Sequence, residues 1–152
     1  MQTCESKKSW KLFPFQESDI GPALSLWRQC EHIGLSSSDT STDITCFLER
    51  NPGCSFVVPG ETELAGAILC GHDGRRGYIY HLAVAHGFRR QGLGEALLNA
   101  SVKALREQKI HKCHAVVFSD NPNAELFWEK QGWHRRTELM PYSAWTGAAD
   151  TQ

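Results

Sequence analysis

The residues best suited to chemistry in this sequence form one short run rich in arginine and glycine, Arg89-Arg90-Gln91-Gly92-Leu93-Gly94. It separates an apolar segment from a stretch with helical spacing, which places it at the start of a helix. A helix start presents unpaired main-chain N–H groups and the positive end of the helix dipole, so it can bind a phosphate. Gly92 and Gly94 carry no β-carbon that would hold phosphate oxygens away, and the two arginines add charged donors. The run predicts an anion-binding turn, and the alternative is an ordinary turn with solvated arginines.

Other phosphate-binding motifs do not fit this spacing. A dinucleotide-binding fingerprint needs a third glycine at position 97, which is Leu97 here. A P-loop needs a Gly-Lys-Ser/Thr run, which this sequence lacks. Neither motif is supported.

Apolar periodicity and turn residues predict the elements that position this run. Helices are expected at Ile20–Cys30, Asp43–Glu49, Gly94–Gln108 and Pro122–Gln131, and strands at Ser55–Val58, Leu64–Leu69, Tyr78–Val84, Cys113–Phe118 and Trp133–Leu139. The first helix would open at Ser18 or Asp19, and the run from Ser36 to Thr42 (SSSDTST) predicts a polar loop after it. Two helices, three strands and then alternating elements predict a mixed sheet flanked by helices, an α/β (α+β) fold.

Length and composition exclude several classes of protein. A chain of 152 residues fits one domain, and at that length folding removes roughly 70% of the surface of the unfolded chain. A net charge of -1 gives no general attraction to nucleic acid or anionic membranes, so neither is expected as a partner. No apolar run approaches the ~20 residues that cross a bilayer.

The cysteines indicate a reducing compartment rather than a disulfide framework. The six are scattered without CxxC pairs: Cys4, Cys30, Cys46, Cys54, Cys70 and Cys113. The N-terminal residues MQTCESKKSW lack the apolar core of a secretory signal, so we expect reduced thiols in the cytoplasm. His111 and His114 lie on either side of Cys113, but at a strand start these side chains point in different directions, and no metal site is expected.

Four segments together resemble the GNAT N-acyltransferases in content, order and spacing. They are Leu82-Ala83-Val84, the arginine-glycine run at 89–94, Asn121-Pro122-Asn123-Ala124 and Gly132-Trp133. The resemblance spans about residues 10 to 140 and is strongest to small bacterial members related to the ribosomal-protein N-acetyltransferases, especially the YpeA type. It implies a single acetyltransferase domain over residues 1–152, with a central, mixed, mostly antiparallel twisted sheet and helices on both faces.

The resemblance implies an acetyl-CoA-dependent N-acetyltransferase whose acceptor amine attacks the bound thioester directly, so no cysteine needs a catalytic role. The pyrophosphate of CoA would be bound by a turn that comprises Arg89, Arg90, Gln91, Gly92, Gly94 and Glu95. Leu82 and Val84 would pair through their main chain with the pantetheine arm, and the Val84 N–H would polarise the thioester carbonyl. Asn121 would hydrogen-bond the cofactor arm, cap the helix before Pro122, or do both.

The proton-transfer groups of the family are only partly matched. Regular strand alternation predicts that Tyr78, Tyr80 and Leu82 share the active-site face and that His81 faces the other side. The position of the glutamate in ribosomal-protein relatives is Val116 here. A water relay or His81 would therefore have to serve as the base.

The family's tyrosine general acid, seven residues after the asparagine, is replaced by Trp128. An indole N–H donates a hydrogen bond but does not usefully transfer its proton, so we expect Trp128 to wall the acyl pocket. A thiolate whose conjugate acid has a pKa of ~8.5 is a tolerable leaving group without an acid.

The acceptor amine is left open by the sequence. Without the glutamate, amines that lose a proton easily are favoured, such as the α-amine of a small molecule or a peptide N-terminus. A shortened closing part of the sheet would leave an edge for a homodimer. Two alternatives stay open: a non-catalytic acyl-CoA-binding module that has lost its proton-transfer groups, and a protein-interaction domain with no use for CoA.

Overall fold

The computed structural model describes residues 8–147, so Cys4 and most of the N-terminal segment MQTCESKKSW lie outside the described residues. The chain divides after Ser119 into two compact units. The single domain expected over residues 1–152 stays a prediction. Within residues 8–147, no helix combines the length and the apolar character needed to span a bilayer.

Within residues 8–119, the first unit contains five strands and three α-helices. In chain order these are β1 Phe13–Pro14, α1 Ile20–Gln29, α2 Ser41–Arg50, β2 Phe56–Pro59, β3 Leu64–His72, β4 Gly77–Val84, α3 Leu93–Glu107 and β5 Cys113–Ala115. The predicted helices and central strands are confirmed to within a few residues, whereas β1 is an element that the apolar pattern does not predict.

The helix starts show two kinds of capping. Thr40 caps α2, because its Oγ1 accepts a hydrogen bond of 3.1 Å from the Asp43 N–H. Asp19 holds the N-cap position of α1, as predicted, but its side chain makes no cap bond. Its Oδ2 instead accepts from the Gln16 N–H at 2.9 Å and closes the short 3-10 turn before α1.

The five strands form one mixed sheet in the order β1-β2-β3-β4-β5. Neighbouring strands are antiparallel except β4 and β5, which run parallel. The hairpin between β3 and β4 is closed by Asp73, whose Oδ1 accepts from the Arg75 and Arg76 N–H groups at 2.8 and 2.7 Å. The predicted mixed, mostly antiparallel sheet is confirmed.

Helices cover both faces of this sheet. A β-carbon at Gly66 of β3 would lie 2.9 Å from Leu97 of α3, which places α3 on one face. A β-carbon at Gly71 would lie 2.5 Å from Phe47 of α2, on the opposite face. Trp27 of α1 is fully buried in the hydrophobic cluster of this second face. The predicted arrangement of helices on both faces is therefore confirmed.

The expected strand over Cys113–Phe118 is shorter than predicted. It ends at Ala115, because β5 pairs with β4 only opposite Gly77, Tyr78 and Ile79. Beyond that point Val116 is 80% exposed and Phe118 is 52% exposed. The residues after Ala115 therefore form no ladder with β4.

The second unit, described for residues 120–147, contains α4, Pro122–Lys130. Gly132 ends this helix with a φ of 80°, in the left-handed conformation that favours glycine. The strand predicted over Trp133–Leu139 does not form, and that prediction is wrong. Its apolar residues do not pair with a strand within this unit, and Leu139 is 55% exposed.

Candidate active site

The arginine-glycine turn has the backbone geometry that its sequence predicts. Gly92 is the N-cap of α3 with a φ of 80°, and no side chain caps the helix. The first helical hydrogen bond runs from the Ala96 N–H to the Gly92 carbonyl at 3.0 Å. The N–H groups of Leu93 and Gly94 precede that bond and lie at the positive end of the helix dipole. The turn is therefore a suitable anion site, with Glu95 in the first turn of the helix.

Arg90 adds a second left-handed residue to this turn. Its φ is 60°, which costs a residue with a β-carbon roughly 1–2 kcal/mol. Left-handed residues at 90 and 92 curve the main chain, and such curved segments turn successive N–H groups toward one point. The strain therefore lies in the turn that leads into the start of α3.

The N-terminal segment holds the turn in place, a contact that sequence reasoning missed. The Trp10 indole donates from Nε1 to the Gln91 carbonyl at 3.1 Å, and Lys8 Nζ donates to Gln91 Oε1 at 3.1 Å. The Trp10 ring also meets Phe88 edge-on at 6.2 Å. Gln91 thus anchors the turn, and no local sequence signal linked it to a tryptophan 81 residues away.

The outer edge of β4 is open beside this turn. Beyond Ile79, β4 pairs with no strand on the β5 side within residues 8–147. The Ala85 N–H bonds the Ala65 carbonyl of β3 at 2.8 Å, so the main-chain groups of Val84 and Leu82 point away from β3. These are the groups expected to pair with an extended ligand. The Val84 carbonyl already accepts a hydrogen bond of 3.0 Å from Arg89 Nε.

A bulge at Tyr80 changes which side chains of β4 share a face. Across β3, Leu69 pairs with His81 and Cys70 pairs with Ile79, so Tyr80 is the extra residue. The predicted alternation is therefore wrong on two points: His81 joins the face of Tyr78 and Tyr80, and Leu82 moves to the other.

Ring contacts confirm this arrangement. Tyr80 meets Phe47 of α2 edge-on at 5.4 Å, and His81 lies 4.8 Å from Trp27 of α1, measured between ring centroids. Both helices cover the same face of the sheet. Leu82 pairs with Ile68 and therefore faces α3.

His81 forms an ion-pair-like contact that the sequence did not reveal. Its Nε2 lies 2.7 Å from Asp39 Oδ1, and the two side chains are 10% and 11% exposed. Asp39 belongs to the polar loop between α1 and α2, and its Oδ2 accepts from the Ser36 N–H at 2.8 Å. The loop predicted from SSSDTST therefore supplies the carboxylate that the strands lack.

Tyr78 and Tyr80 form a stacked pair on the same face. Their ring centroids are 6.0 Å apart, and His114 of β5 lies 5.6 Å from Tyr78. Tyr80 is 51% exposed, and partial burial raises the pKa of its phenol above the ordinary value. Tyr80 is therefore a neutral hydrogen-bond donor at physiological pH.

Asn121 and Trp128 belong to the second unit. Asn121 Oδ1 accepts from the Ala124 N–H at 3.2 Å, which is the helix cap expected for it. Trp128 packs against Trp133 with ring centroids 4.6 Å apart and against Phe127 at 5.3 Å. The cofactor contact of Asn121 and the pocket role of Trp128 stay predictions.

The five described cysteines are free thiols: Cys30, Cys46, Cys54, Cys70 and Cys113. Burial raises the pKa of Cys30, which lies beside β4 with its Sγ 3.8 Å from the Val84 carbonyl oxygen. In residues 8–147, no group of three or more His, Cys, Asp or Glu side chains could hold a metal ion.

The mixed sheet, the open strand edge and the uncapped helix start agree with what comparison with known proteins shows. The sequence profile of the acetyltransferase (GNAT) family matches residues 21–133. An acetyltransferase of Pectobacterium atrosepticum is 30% identical over 116 residues, which cover 76% of this chain and 82% of that protein. The chain therefore belongs to the GNAT family of acetyltransferases.

Solved structures share the fold. The ribosomal-protein-S18-alanine N-acetyltransferase of Escherichia coli matches with a TM-score of 0.66 and 18% identity, over 84% of this chain and 79% of that one. The PaiA N-acetyltransferase of Thermoplasma acidophilum, in complex with coenzyme A, matches with a TM-score of 0.70 and 14% identity, over 82% and 89%. At these identities the likeness concerns the fold alone.

Proposed function

We propose that this chain is an acetyl-CoA-dependent N-acetyltransferase that transfers an acetyl group to an amine without a covalent acyl-enzyme. One observation carries the proposal: the open main-chain edge of β4 at Leu82 and Val84 leads into the uncapped start of α3 at Gly92. An extended arm that ends in a pyrophosphate would use both surfaces. Coenzyme A has that shape, and a structural neighbour contains it.

The residues present fit the cofactor. N–H groups at the start of α3 and the turn from Arg89 to Gly92 would hold its pyrophosphate, and Leu82 and Val84 would pair with its pantetheine arm. Pairing at Val84 requires Arg89 to release the Val84 carbonyl, which it now binds. The released guanidinium is then a donor for a phosphate group.

Acetyl-CoA would supply the acetyl group in activated form, as a thioester. The Val84 N–H, directed outward from β4, would polarise the acetyl carbonyl. Tyr80 is a neutral donor on the neighbouring exposed surface, and Tyr78 packs against it. Trp128 would shape the acyl pocket rather than give a proton to the leaving thiolate.

Acceptors with easily deprotonated amines are favoured. At pH 7, neutralising a lysine ε-amine costs about 4 to 5 kcal/mol, against about 1 kcal/mol for an α-amine. The E. coli structural neighbour is named for an alanine of a ribosomal protein. We therefore propose α-amines of small molecules or peptide N-termini as the acceptor class, and cytoplasmic location and a homodimer as further expectations.

Two measurements test the proposal in sequence. Thermal unfolding is followed with and without acetyl-CoA, since a ligand at 100 times its Kd stabilises the folded state by about 2.7 kcal/mol. Free thiol release is then measured with amino acids, polyamines and peptides that carry a free N-terminus. Stabilisation without turnover would indicate an acyl-CoA-binding module, and no stabilisation would indicate an interaction domain.

A further inference from the structure

The Asp39–His81 pair joins two segments that are far apart in the chain. Asp39 precedes α2, and His81 lies on β4, 42 residues later. Their contact of 2.7 Å is within strong hydrogen-bond range, and the Ser36 N–H and Oγ hold the second carboxylate oxygen at 2.8 and 3.3 Å. The Asp39 carboxylate is therefore held by Ser36 through one oxygen and contacts His81 through the other.

This contact sets the chemistry of the imidazole. A carboxylate accepts hydrogen bonds, so a neutral His81 must carry its proton on Nε2 to bond Asp39. Nδ1 then holds the lone pair and is the basic nitrogen.

The position of the imidazole suits proton transfer from an acceptor. His81 precedes Leu82, whose main chain lies on the open edge of β4, and follows Tyr80, which is 51% exposed. The His81 side chain retains 10% of its surface, while its ring packs on Trp27 at 4.8 Å. The ring therefore lies between Asp39 and Trp27, with a small part of the side chain still exposed.

The groups that face His81 come from several elements. The loop before α2 presents Asp39, α1 presents the uncharged Trp27, and β3 presents Leu69 at the paired position. On β4 itself the titratable neighbours are Tyr78 and Tyr80, and partial burial raises the pKa of the Tyr80 phenol. Among these titratable groups, the Asp39 carboxylate is the one that contacts the imidazole directly.

We propose that His81 is the general base for the acceptor amine and that Asp39 is its positioning residue, an inference that rests on the proposed N-acetyltransferase function. His81 Nδ1 takes one proton from the acceptor ammonium, which leaves a neutral amine. The amine nitrogen then forms the bond to the acetyl carbon while the carbon–sulfur bond breaks. Coenzyme A leaves as a thiolate and gains the second proton that the nitrogen loses, and the imidazolium returns its proton to solvent.

The test compares His81→Gln and Asp39→Asn with wild type and with His72→Gln. His72 is a matched control, because its Nε2 also bonds a side-chain oxygen, Gln108 Oε1 at 2.8 Å, at the end of β3. The probe amines are an alanyl peptide amide, spermidine and Nα-acetyl-lysine amide. Three quantities are measured: kcat/KM from neutral to strongly alkaline pH, acetyl-CoA affinity by calorimetry, and the His81 tautomer by ¹⁵N NMR.

We expect His81→Gln to lower kcat/KM near neutral pH by about 10²- to 10⁴-fold, as removal of a general base does. The deficit should shrink as the pH rises past the pKa of the acceptor, because solvent then supplies the neutral amine. Asp39→Asn should give an intermediate loss and His72→Gln none. Acetyl-CoA affinity should stay unchanged in all three variants.

Other outcomes overturn the proposal. A loss that is the same at every pH, or that follows lost acetyl-CoA affinity, would make the pair a structural tie between the loop and β4. If His81→Gln does not fold, the pH profile of Asp39→Asn and the His81 tautomer in wild type test the proposal instead. A neutral His81 with its proton on Nδ1 would contradict the proposal, which requires Nδ1 to be the basic nitrogen. If wild type binds acetyl-CoA but acetylates no probe, the proposed function itself fails and the base role falls with it.

Discussion

Arg89 binds the main chain of Val84: its Nε donates to the Val84 carbonyl at 3.0 Å. Its Nη2 also lies 3.8 Å from Cys30 Sγ. The side chain expected to meet a phosphate thus covers the strand edge expected to meet the cofactor arm. Binding at either place would require this guanidinium to move, which links the two halves of the proposed cofactor site.

Arg89→Ala should weaken acetyl-CoA binding about tenfold, because a charge-assisted hydrogen bond contributes about 1.5–3 kcal/mol and solvent exposure reduces that value. Calorimetry at low and high salt measures the effect, which should shrink as salt screens the charge. Arg75→Ala, in the exposed β3–β4 turn, is the control and should bind normally. Unchanged or tighter binding by Arg89→Ala would show that the side chain only covers the edge.

Gly92→Ala should impair the anion-binding turn. At a φ of 80° an alanine pays roughly 1–2 kcal/mol, and the turn can escape that strain only by moving its N–H groups. Acetyl-CoA affinity should fall at least tenfold, and the melting temperature should fall slightly. Gly87→Ala is the matched control, since its β-carbon meets open space and its φ is not in the left-handed region; equal binding by both variants would contradict the proposed cradle.

Cys30→Ala should leave turnover within a few-fold of wild type. Burial raises the pKa of the Cys30 thiol, so little of it is the nucleophilic thiolate at neutral pH. Mass spectrometry of wild type incubated with acetyl-CoA alone should find no acetyl group on this residue. An acetylated Cys30 that is discharged by added amine would replace direct transfer with a covalent route.

Trp128→Tyr tests whether the missing general acid limits the reaction. If Trp128 only walls the acyl pocket, the tyrosine variant should keep kcat within a few-fold of wild type. Trp128→Phe is the control that changes size without adding an acidic hydroxyl. A many-fold rise in kcat for the tyrosine variant alone, with unchanged acetyl-CoA affinity, would show that proton donation matters at this position.

Ser55→Ala should destabilise the first unit. The Ser55 Oγ donates to the Cys70 carbonyl at 3.1 Å and accepts from the Cys70 N–H at 2.9 Å, and both residues are buried. Loss of both bonds leaves two buried main-chain groups without partners and should cost about 2 kcal/mol. Denaturant titration measures this cost, with exposed Ser38→Ala expected to be neutral.

Local sequence patterns predicted the helices, the central strands and the start of α3, because each depends on neighbouring residues. Thr40, Asp73 and Gly92 act within three or four positions of the groups that they bind or cap. Contacts such as Trp10 with Gln91 escaped prediction, because they join distant segments and no local pattern encodes them.

The candidate site was predicted in part for the same reason. The main-chain edge at Leu82 and Val84 follows from regular strand geometry, whereas the placement of His81 depends on an irregularity. Asp39 lay in a stretch that reads as a solvated loop, and only the fold brings its carboxylate to His81.

The extra residue at Tyr80 has a consequence for comparing and engineering members of this family. In a strand with one extra residue, side chains after the bulge lie on the opposite face of the sheet from the one that regular alternation predicts. If one relative has the bulge and another lacks it, assigning side chains to sheet faces by alternation will place the wrong side chain on the active-site face. Deleting Tyr80 would make β4 regular and leave His81 opposite Leu69, with its imidazole still on the face that Asp39 contacts.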